Sequence, residues 1–289
     1  MEEQSYKFMD KEHIYDIKFP SIGIGTFSVS ESNLTELLQI GIVKGYRLID
    51  TAFKYKNEES IGSVLQELKI NRSQVLIETK AGAELLRGRK RYLFLDKISI
   101  NKAINRACKR LKTDYIDIFL IHGPFKGYED SFCELLKYKG SKKVKFVGVC
   151  NINYEQLQSL YRRTGVFPDV VQLEIHPYFT NIKLCEFCLA HGIVVEARSP
   201  FAHGDALEEW YNEPQLQLLA EKYKKTIPQI ILRWIQQRGL IPIPRTNSIL
   251  HLTENIELFD FSLDDDEIRS INKLNKDMSF GCLSTHTKR

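Results

Sequence analysis

Eight short apolar runs recur along this chain of 289 residues, separated by longer stretches with helical spacing. The runs lie at 21–25, 46–50, 75–79, 116–121, 146–149, 170–173, 193–197 and 240–243. Between them, apolar residues recur at three- and four-residue steps, as in Leu34, Leu37, Leu38 and Ile42, which indicates one buried helix face. Short apolar strands that alternate with such helices are typical of a parallel sheet covered by helices. Eight units in a chain of this length predict an α/β fold, a (β/α)8 TIM barrel.

A doubly wound open sheet is the competing fold, and it binds dinucleotides through a Gly-x-Gly-x-x-Gly turn after its first strand. Here Gly23 and Gly25 are followed by Ser28 at the position of the third glycine, so the pattern favours the barrel. The chain contains no Pro-, Gly- or Ser-rich linker. We therefore expect one barrel domain over 1–289, with a short N-terminal hairpin segment at 1–18 and a short C-terminal tail at 278–289.

The charge balance excludes a strongly basic protein, since 41 Lys and Arg stand against 37 Asp and Glu, for a net charge of +4. We expect no nucleic-acid partner. No apolar stretch approaches the roughly 20 residues of a membrane span, and the N-terminus lacks a secretory signal pattern. Six cysteines in a chain of this length are ordinary for a reducing compartment, so we expect free thiols and a cytoplasmic location.

Polar residues follow the ends of the predicted strands, where a barrel gathers its functional groups at one mouth. These strand-end residues are Asp50, Lys80, His122, Asn151, Gln172 or Glu174, Arg198 or Ser199, and Arg245. An acid, two unlike bases and several amides would thus converge on one site although they are far apart in sequence.

Several motifs in this order resemble the aldo-keto reductase family. They are Asp50-x-Ala52-x-x-Tyr55-x-Asn57-Glu58 with Gly62, Thr79-Lys80, Leu120-Ile121-His122-Gly123-Pro124, Gly148-Val149-Cys150-Asn151 and Gln172-Leu173-Glu174-Ile175-His176-Pro177. The resemblance runs from about Phe19 to Leu274. It implies a barrel that binds NADPH across its mouth and reduces carbonyls to alcohols without a metal, with Asp50, Tyr55, Lys80 and His122 as the catalytic residues.

The chemistry of carbonyl reduction suits these four residue types. Negative charge develops on the carbonyl oxygen as hydride arrives, and Tyr55 would give that oxygen a proton. A phenol titrates near pH ~10, so the Lys80 ammonium would ease proton release while Asp50 holds Lys80 in place. His122, as a neutral donor, would orient the carbonyl. Each residue alone has an ordinary structural explanation, such as a helix cap or a packed core side chain, and only their joint order and spacing favour catalysis.

The resemblance also implies the residues that bind the cofactor. Asn151 and Gln172 would hold the nicotinamide carboxamide, with Thr51 beside the ribose. The phosphates would lie near Ser199, Arg245, Thr246 and Asn247, and the adenine near Glu254 and Asn255. A guanidinium fork and a hydroxyl are suited to phosphate.

Four positions depart from the family pattern. Arg198 stands where an aromatic ring usually stacks on the nicotinamide; its charge should repel the oxidised cofactor, and we hypothesise weaker retention of that form. His251 replaces an arginine that grips the 2′-phosphate, so NADPH preference should be mild and NADH is possible. Phe27 and Gly123 replace large indoles, which predicts an open substrate pocket. Cys150 replaces a serine, with a small expected effect.

Two further patterns have less specific meanings. The cluster Arg87, Arg89, Lys90 and Arg91 follows Lys80 and is interpreted as a solvated loop, with attraction of an anionic substrate as the alternative. Cys185 and Cys188 with His191 have metal-like spacing, but no second cysteine pair completes a site, so buried small residues are the favoured interpretation.

These observations predict a monomeric NADPH-dependent reductase of a small-molecule aldehyde or ketone. Two alternatives stay open. The barrel could serve as a cofactor-sensing regulatory subunit, because the nicotinamide pocket is altered at Arg198. Its working direction could also be NAD-dependent alcohol oxidation.

Overall fold

The computed structural model describes residues 3–9, 14–82 and 100–281. Two antiparallel strands, β1 (Glu3–Met9) and β2 (Ile14–Pro20), form a hairpin before the barrel. The parallel strands that follow are β3 (Ile24–Gly25), β4 (Leu48–Asp50), β5 (Leu76–Ala81), β6 (Ile116–Ile121), β7 (Val144–Cys150), β8 (Val170–Glu174), β9 (Val194–Arg198) and β10 (Ile241–Ile243). Each of the eight predicted apolar runs overlaps one of these strands, which confirms the predicted fold.

Helices occupy the connections between the strands. In the described ranges they are α1 (Glu31–Lys44), α2 (Glu58–Glu67), α3 (Ile100–Arg110), α4 (Tyr128–Leu135), α5 (Tyr154–Thr164), α6 (Ile182–Ala190), α7 (Leu207–Tyr211), α8 (Pro214–Tyr223), α9 (Ile227–Gln237), α10 (Ile249–Ile256) and α11 (Asp265–Asn272). Reciprocal capping boxes begin three of them, at Asn153, Thr226 and Asp264. The connection from β9 to β10 carries three helices rather than one, which the simple strand-helix repeat does not predict.

The sheet curls until its two edge strands meet. Strands pair in chain order from β3 to β10, and the amides of Gly23 and Gly25 donate to the carbonyls of Pro242 and Pro244 at 3.0 and 2.9 Å. A side chain at Gly25 would come within 3.2 Å of the Ile243 carbonyl oxygen, so glycine permits this close approach. The barrel therefore closes next to the polar residues that follow β10.

Side chains fill the barrel in layers because alternate residues of each strand face inward. The inner apolar cluster consists of Phe19, Leu48, Ile118, Leu120, Phe146, Cys150, Val170, Val194, Ile241 and Ile243. Phe19, at the end of β2, packs 5.2 Å from the Phe146 ring, so the hairpin contributes to the barrel filling. Nearer the mouth the inward positions are polar and include Glu78, Lys80, Gln172 and Glu196, all buried.

Among the described helices, none combines the length and the apolar character required to cross a membrane. The basic cluster Arg87 to Arg91 lies outside the described residues, as does the tail beyond Gly281.

Candidate active site

A cavity of about 1590 Å³ opens at the carboxyl ends of the strands. Most of the predicted site residues line it: Phe27, Asp50, Tyr55, His122, Asn151, Gln172, Arg198, Ser199, Arg245, Thr246, Asn247, His251, Glu254 and Asn255. Lys80 lies beneath the cavity floor, where it contacts Asp50. Thr51 and Gly123 are not among the described residues that line the cavity, so neither contributes to its wall.

Tyr55 reaches the cavity because β4 is followed by a 3-10 turn over Phe53–Tyr55. The turn ends at Lys56 in the left-handed conformation. The Tyr55 ring centre lies 5.9 Å from that of His122 at the end of β6 and 5.1 Å from that of Phe27. The structure thus brings the predicted proton donor and the predicted carbonyl-orienting group to one point.

Lys80 is fully buried and its ammonium lies among three oxygen atoms. Nζ donates to Asp50 Oδ2, to the Thr51 carbonyl oxygen at 3.0 Å, and contacts Glu78 Oε1 at 2.8 Å. Burial acts to lower the pKa of Lys80, but the Asp50 and Glu78 carboxyls outweigh it and raise that pKa well above its ordinary value. Burial acts to raise the pKa of Asp50, and the attraction of Lys80 with several hydrogen bonds brings it below its ordinary value. Both groups are therefore charged at neutral pH.

Two opposing effects act on the Tyr55 phenol. Burial raises the pKa of its phenol above the ordinary value, and the nearby Lys80 charge offsets only part of that rise. No hydrogen bond joins Lys80 to the Tyr55 hydroxyl among the described contacts; Nζ lies 5.6 Å from the ring centre. The ammonium instead donates to Asp50 and to the Thr51 carbonyl and forms an ion pair with Glu78.

The environment of His122 favours its neutral form at pH 7. Burial, followed by repulsion from Lys80, lowers the pKa of its imidazole to about 3. Its Nδ1 is buried and has no hydrogen-bond partner in the described part of the chain.

Arg198 is held in an ion pair that the sequence did not predict. Its guanidinium donates to Asn151 Oδ1 at 2.5 Å and to Glu174 Oε2 at 3.0 Å, and its side chain is 22% exposed. Neighbouring strands supply this pair, because Glu174 on β8 lies opposite Arg198 on β9. The carboxylate balances the guanidinium charge, so the repulsion expected against an oxidised nicotinamide is weaker than an unpaired arginine would exert.

Glu174 also fastens the end of the described chain. Its carboxylate accepts from Ser279 Oγ at 2.7 Å and from the amides of Phe280 and Gly281 at 2.7 and 3.1 Å. Burial acts to raise the pKa of Glu174, but the bond from His176 and the Arg198 charge, with these further donors, lower it to about 2. The end of β8 is thus tied to residues 279–281.

Gln172 faces the barrel interior through its amide nitrogen. Nε2 lies 2.9 Å from Asp50 Oδ2, 2.8 Å from Glu78 Oε1 and 3.0 Å from Glu196 Oε2. Its donor group is therefore engaged within the protein. Only the amide oxygen is left for a ligand in the cavity.

The opposite end of the cavity provides anion-binding groups. Arg245 and Thr246 follow β10, and Ser248 caps α10 by accepting from the His251 amide at 3.3 Å. Unpaired amides at a helix N-terminus attract negative charge. His251 and Arg245 are both exposed beside this terminus. The arrangement suits a phosphate group.

His203 is a cavity residue that the sequence interpretation missed. It lies in the turn Ala202–Gly204, and its Nε2 is 3.1 Å from Ser199 Oγ. Burial and then the Arg198 charge lower the pKa of this imidazole. The available signal was its place four residues after Ser199, in the loop already assigned to phosphate.

Cys185 and Cys188 are buried free thiols on α6. Burial raises the pKa of Cys185 to about 11 and raises that of Cys188 as well. Across the described ranges, no group of three or more His, Cys, Asp or Glu side chains is placed to hold a metal ion.

A protein family, curated proteins and solved structures match most of this chain. The model of the Aldo/keto reductase family matches residues 21–276. Glyoxal reductase of Bacillus subtilis (strain 168) is 36% identical over 267 residues, which cover 92% of this chain and 92% of that protein. Methylglyoxal reductase DkgA of Escherichia coli (strain K12) is 33% identical over 265 residues, covering 91% and 92%. The solved structure of a Bombyx mori aldo-keto reductase in complex with NADP has a TM-score of 0.80 at 29% identity, with 93% of each chain covered.

Proposed function

The chain belongs to the aldo-keto reductase family and is an NAD(P)H-dependent oxidoreductase that reduces carbonyls, and from that premise we propose that it reduces small aldehydes and ketones with NADPH, using Tyr55 as the proton donor. The observation that carries the proposal is the convergence of Tyr55 and His122 above the buried Lys80–Asp50 pair. Similarity to a glyoxal and a methylglyoxal reductase favours compact dicarbonyl substrates.

The four residues divide the work on the carbonyl oxygen. The neutral His122 ring donates a hydrogen bond that orients the carbonyl and polarises it. Tyr55 transfers its proton to the oxygen as negative charge develops there, which avoids a free alkoxide. The charge of the Lys80 ammonium, 5.6 Å from the Tyr55 ring centre, stabilises the phenolate that remains, and Asp50 keeps Lys80 charged and fixed. Reduced nicotinamide supplies the hydride in this chemistry.

The donor set of the cavity fits a nicotinamide dinucleotide. Asn151, Gln172 and Arg198 line the end near Tyr55, while Arg245 and the N-terminus of α10 line the other. A guanidinium beside a helix N-terminus suits a phosphate. Thr246 and Asn247 extend this set, and Glu254 with Asn255 supply polar atoms for an adenine.

NADPH is the proposed cofactor because the phosphate end is cationic, and a solved relative binds NADP. His251 is a weaker phosphate partner than an arginine, since a histidine is mostly neutral at pH 7. The preference over NADH is therefore expected to be modest.

One assay tests the proposal and its alternatives. Consumption of NADPH and of NADH is followed by absorbance with glyoxal, methylglyoxal and larger aldehydes, ketones and sugars, and the oxidised cofactors are tested with alcohols. Turnover of small dicarbonyls with NADPH is the expected result. Cofactor binding without turnover would instead indicate a sensor, and tighter NADH binding would refute the NADPH assignment.

A further inference from the structure

Two glutamates lie inside the barrel directly beneath the proposed proton donor. Glu78 on β5 and Glu196 on β9 are both fully buried. Each precedes a mouth residue by two positions, Lys80 and Arg198, so the alternation of the strand turns it inward. Buried carboxylates are costly unless they are paired, and the proposed mechanism uses neither.

The hydrogen bonds of the two glutamates leave one oxygen of each carboxyl without a donor in the part of the chain that the structure describes. Glu78 Oε1 contacts Lys80 Nζ and accepts from Gln172 Nε2, both at 2.8 Å, while Glu196 Oε2 accepts from Gln172 at 3.0 Å. The other two oxygens, Glu78 Oε2 and Glu196 Oε1, are buried without a donor in the described residues. The two carboxyls converge on one amide nitrogen, Gln172 Nε2. One proton held between the two carboxyls would satisfy the unpaired oxygens.

The balance of buried charges also favours a proton shared by Glu78 and Glu196. With both glutamates ionised, three buried carboxylates including Asp50 would surround the single Lys80 ammonium. A shared proton removes one of these charges, as in other sites where two carboxyls lie together.

Glu78 also competes with Tyr55 for Lys80. The ammonium has three hydrogens; Asp50 and the Thr51 carbonyl accept two of them, and Glu78 Oε1, in ion-pair contact with Nζ at 2.8 Å, is placed to attract the remaining hydrogen. A phenolate at Tyr55 would be stabilised by that hydrogen. With the hydrogen engaged, the phenol loses one reason to ionise.

We propose that Glu78 and Glu196 share one proton beneath Lys80, and that Glu78 acts as a positioning residue that holds the Lys80 ammonium away from Tyr55 and keeps the phenol protonated. The inference rests on the proposed role of Tyr55. It assigns the buried acid pair to the control of proton transfer rather than to packing alone.

The electrostatic environment supports this assignment. Burial raises the pKa of Glu78 well above its ordinary value, and the Glu196 carboxyl raises it further. Burial also raises the pKa of Glu196, although the bond from Glu78 acts against it. The groups that face the pair are Asp50, Tyr55, Lys80, Cys150 and Gln172 from the neighbouring strands and turn.

The first test measures the ionisation of Tyr55. Because the chain has 13 tyrosines, its phenolate absorbance is taken as the difference between each protein and the same protein carrying Tyr55→Phe. The double variant Glu78→Leu/Glu196→Leu removes both carboxyls at similar volume, a change that buried ionic groups often tolerate. We expect its Tyr55 pKa to fall by about one pH unit or more, and the alkaline limb of the reduction profile to move down equally.

Glu78→Gln is the matched control. Its amide can accept from Lys80 and donate to Glu196, so the Tyr55 ionisation should stay where it is in the wild type. A Tyr55 ionisation and an alkaline limb that are unmoved in the double variant would overturn the positioning role. If instead Tyr55→Phe retains wild-type reduction, the proposed function fails while the ionisation result still stands, so the two failures are distinguishable.

The second test measures the shared proton through stability and decides the question even if the double variant does not fold. A carboxyl whose pKa is raised by folding holds a proton that the unfolded chain releases, so stability falls as pH rises above about 4.5 towards the folded pKa. Glu78→Gln cannot release that proton. Its melting temperature should therefore gain on the wild type as pH rises from about 5 to 8, and a constant difference would contradict the shared proton.

Discussion

Replacing Glu174 by glutamine should lower the free energy of unfolding, because it removes an ionised carboxylate that accepts several buried hydrogen bonds. The carboxylate is 3% exposed and accepts from His176, Arg198, Ser279 and the amides of residues 280 and 281. These donors outweigh burial and lower its pKa from 4.5 to about 2. At about 1.4 kcal/mol for each pH unit, ionised Glu174 contributes about 3 kcal/mol to folding at neutral pH.

The stabilisation by Glu174 should decrease in acid. A carboxyl with a lowered pKa stabilises the folded state above its unfolded pKa, and this contribution disappears as pH falls towards about 2. The stability gap between wild type and Glu174→Gln should therefore be complete above about pH 5.5 and should close in acid. Urea unfolding at a series of pH values measures the gap.

Glu221→Gln on α8 is the matched control, since it makes the same substitution at an exposed carboxylate. It should unfold like the wild type. A loss of less than about 1 kcal/mol for Glu174→Gln at pH 7, or a gap of constant size down to pH 2, would refute the assignment of this stabilisation to the ionised carboxylate.

Three further predictions concern the cofactor. Arg198→Tyr should lower the ratio of the NADP⁺ to the NADPH dissociation constant by about fivefold, corresponding to about 1 kcal/mol, and an unchanged ratio in fluorescence titrations would reject the charge argument. His251→Arg should increase the preference for NADPH over NADH by about tenfold through a charged phosphate contact, with NADH affinity unchanged; equal gains for both cofactors would contradict it. Because burial and Arg198 hold the pKa of His203 low while a bound phosphate would raise it, NADPH should bind more tightly as pH falls from about 7 to 5. His203→Gln should flatten that dependence, and an unaltered slope would exclude His203 as the titrating group.

The barrel could be predicted because its strands are short, apolar and regularly spaced. Asp50, Lys80 and His122 could be placed at one mouth because strand ends converge in this fold. Tyr55 needed the family motif, since it lies on a turn after β4 rather than at a strand end.

The polar interior could not be predicted by the same rule. Glu78 and Glu196 lie in runs interpreted as apolar strands, and their burial depends on partners from other strands, Lys80 and Gln172. The alternation from Lys80 back to Glu78 was a usable signal for the inward direction. The pairing of Arg198 with Glu174 required the register between β8 and β9, which sequence periodicity does not supply.

The most direct test of the account is the reduction of methylglyoxal with NADPH by the wild type and by Tyr55→Phe, with cofactor affinity measured in parallel. Loss of a positioned general acid should lower kcat/KM by about 10²- to 10⁴-fold while the NADPH dissociation constant stays the same. Wild-type turnover in Tyr55→Phe would contradict the central claim that this phenol delivers the proton.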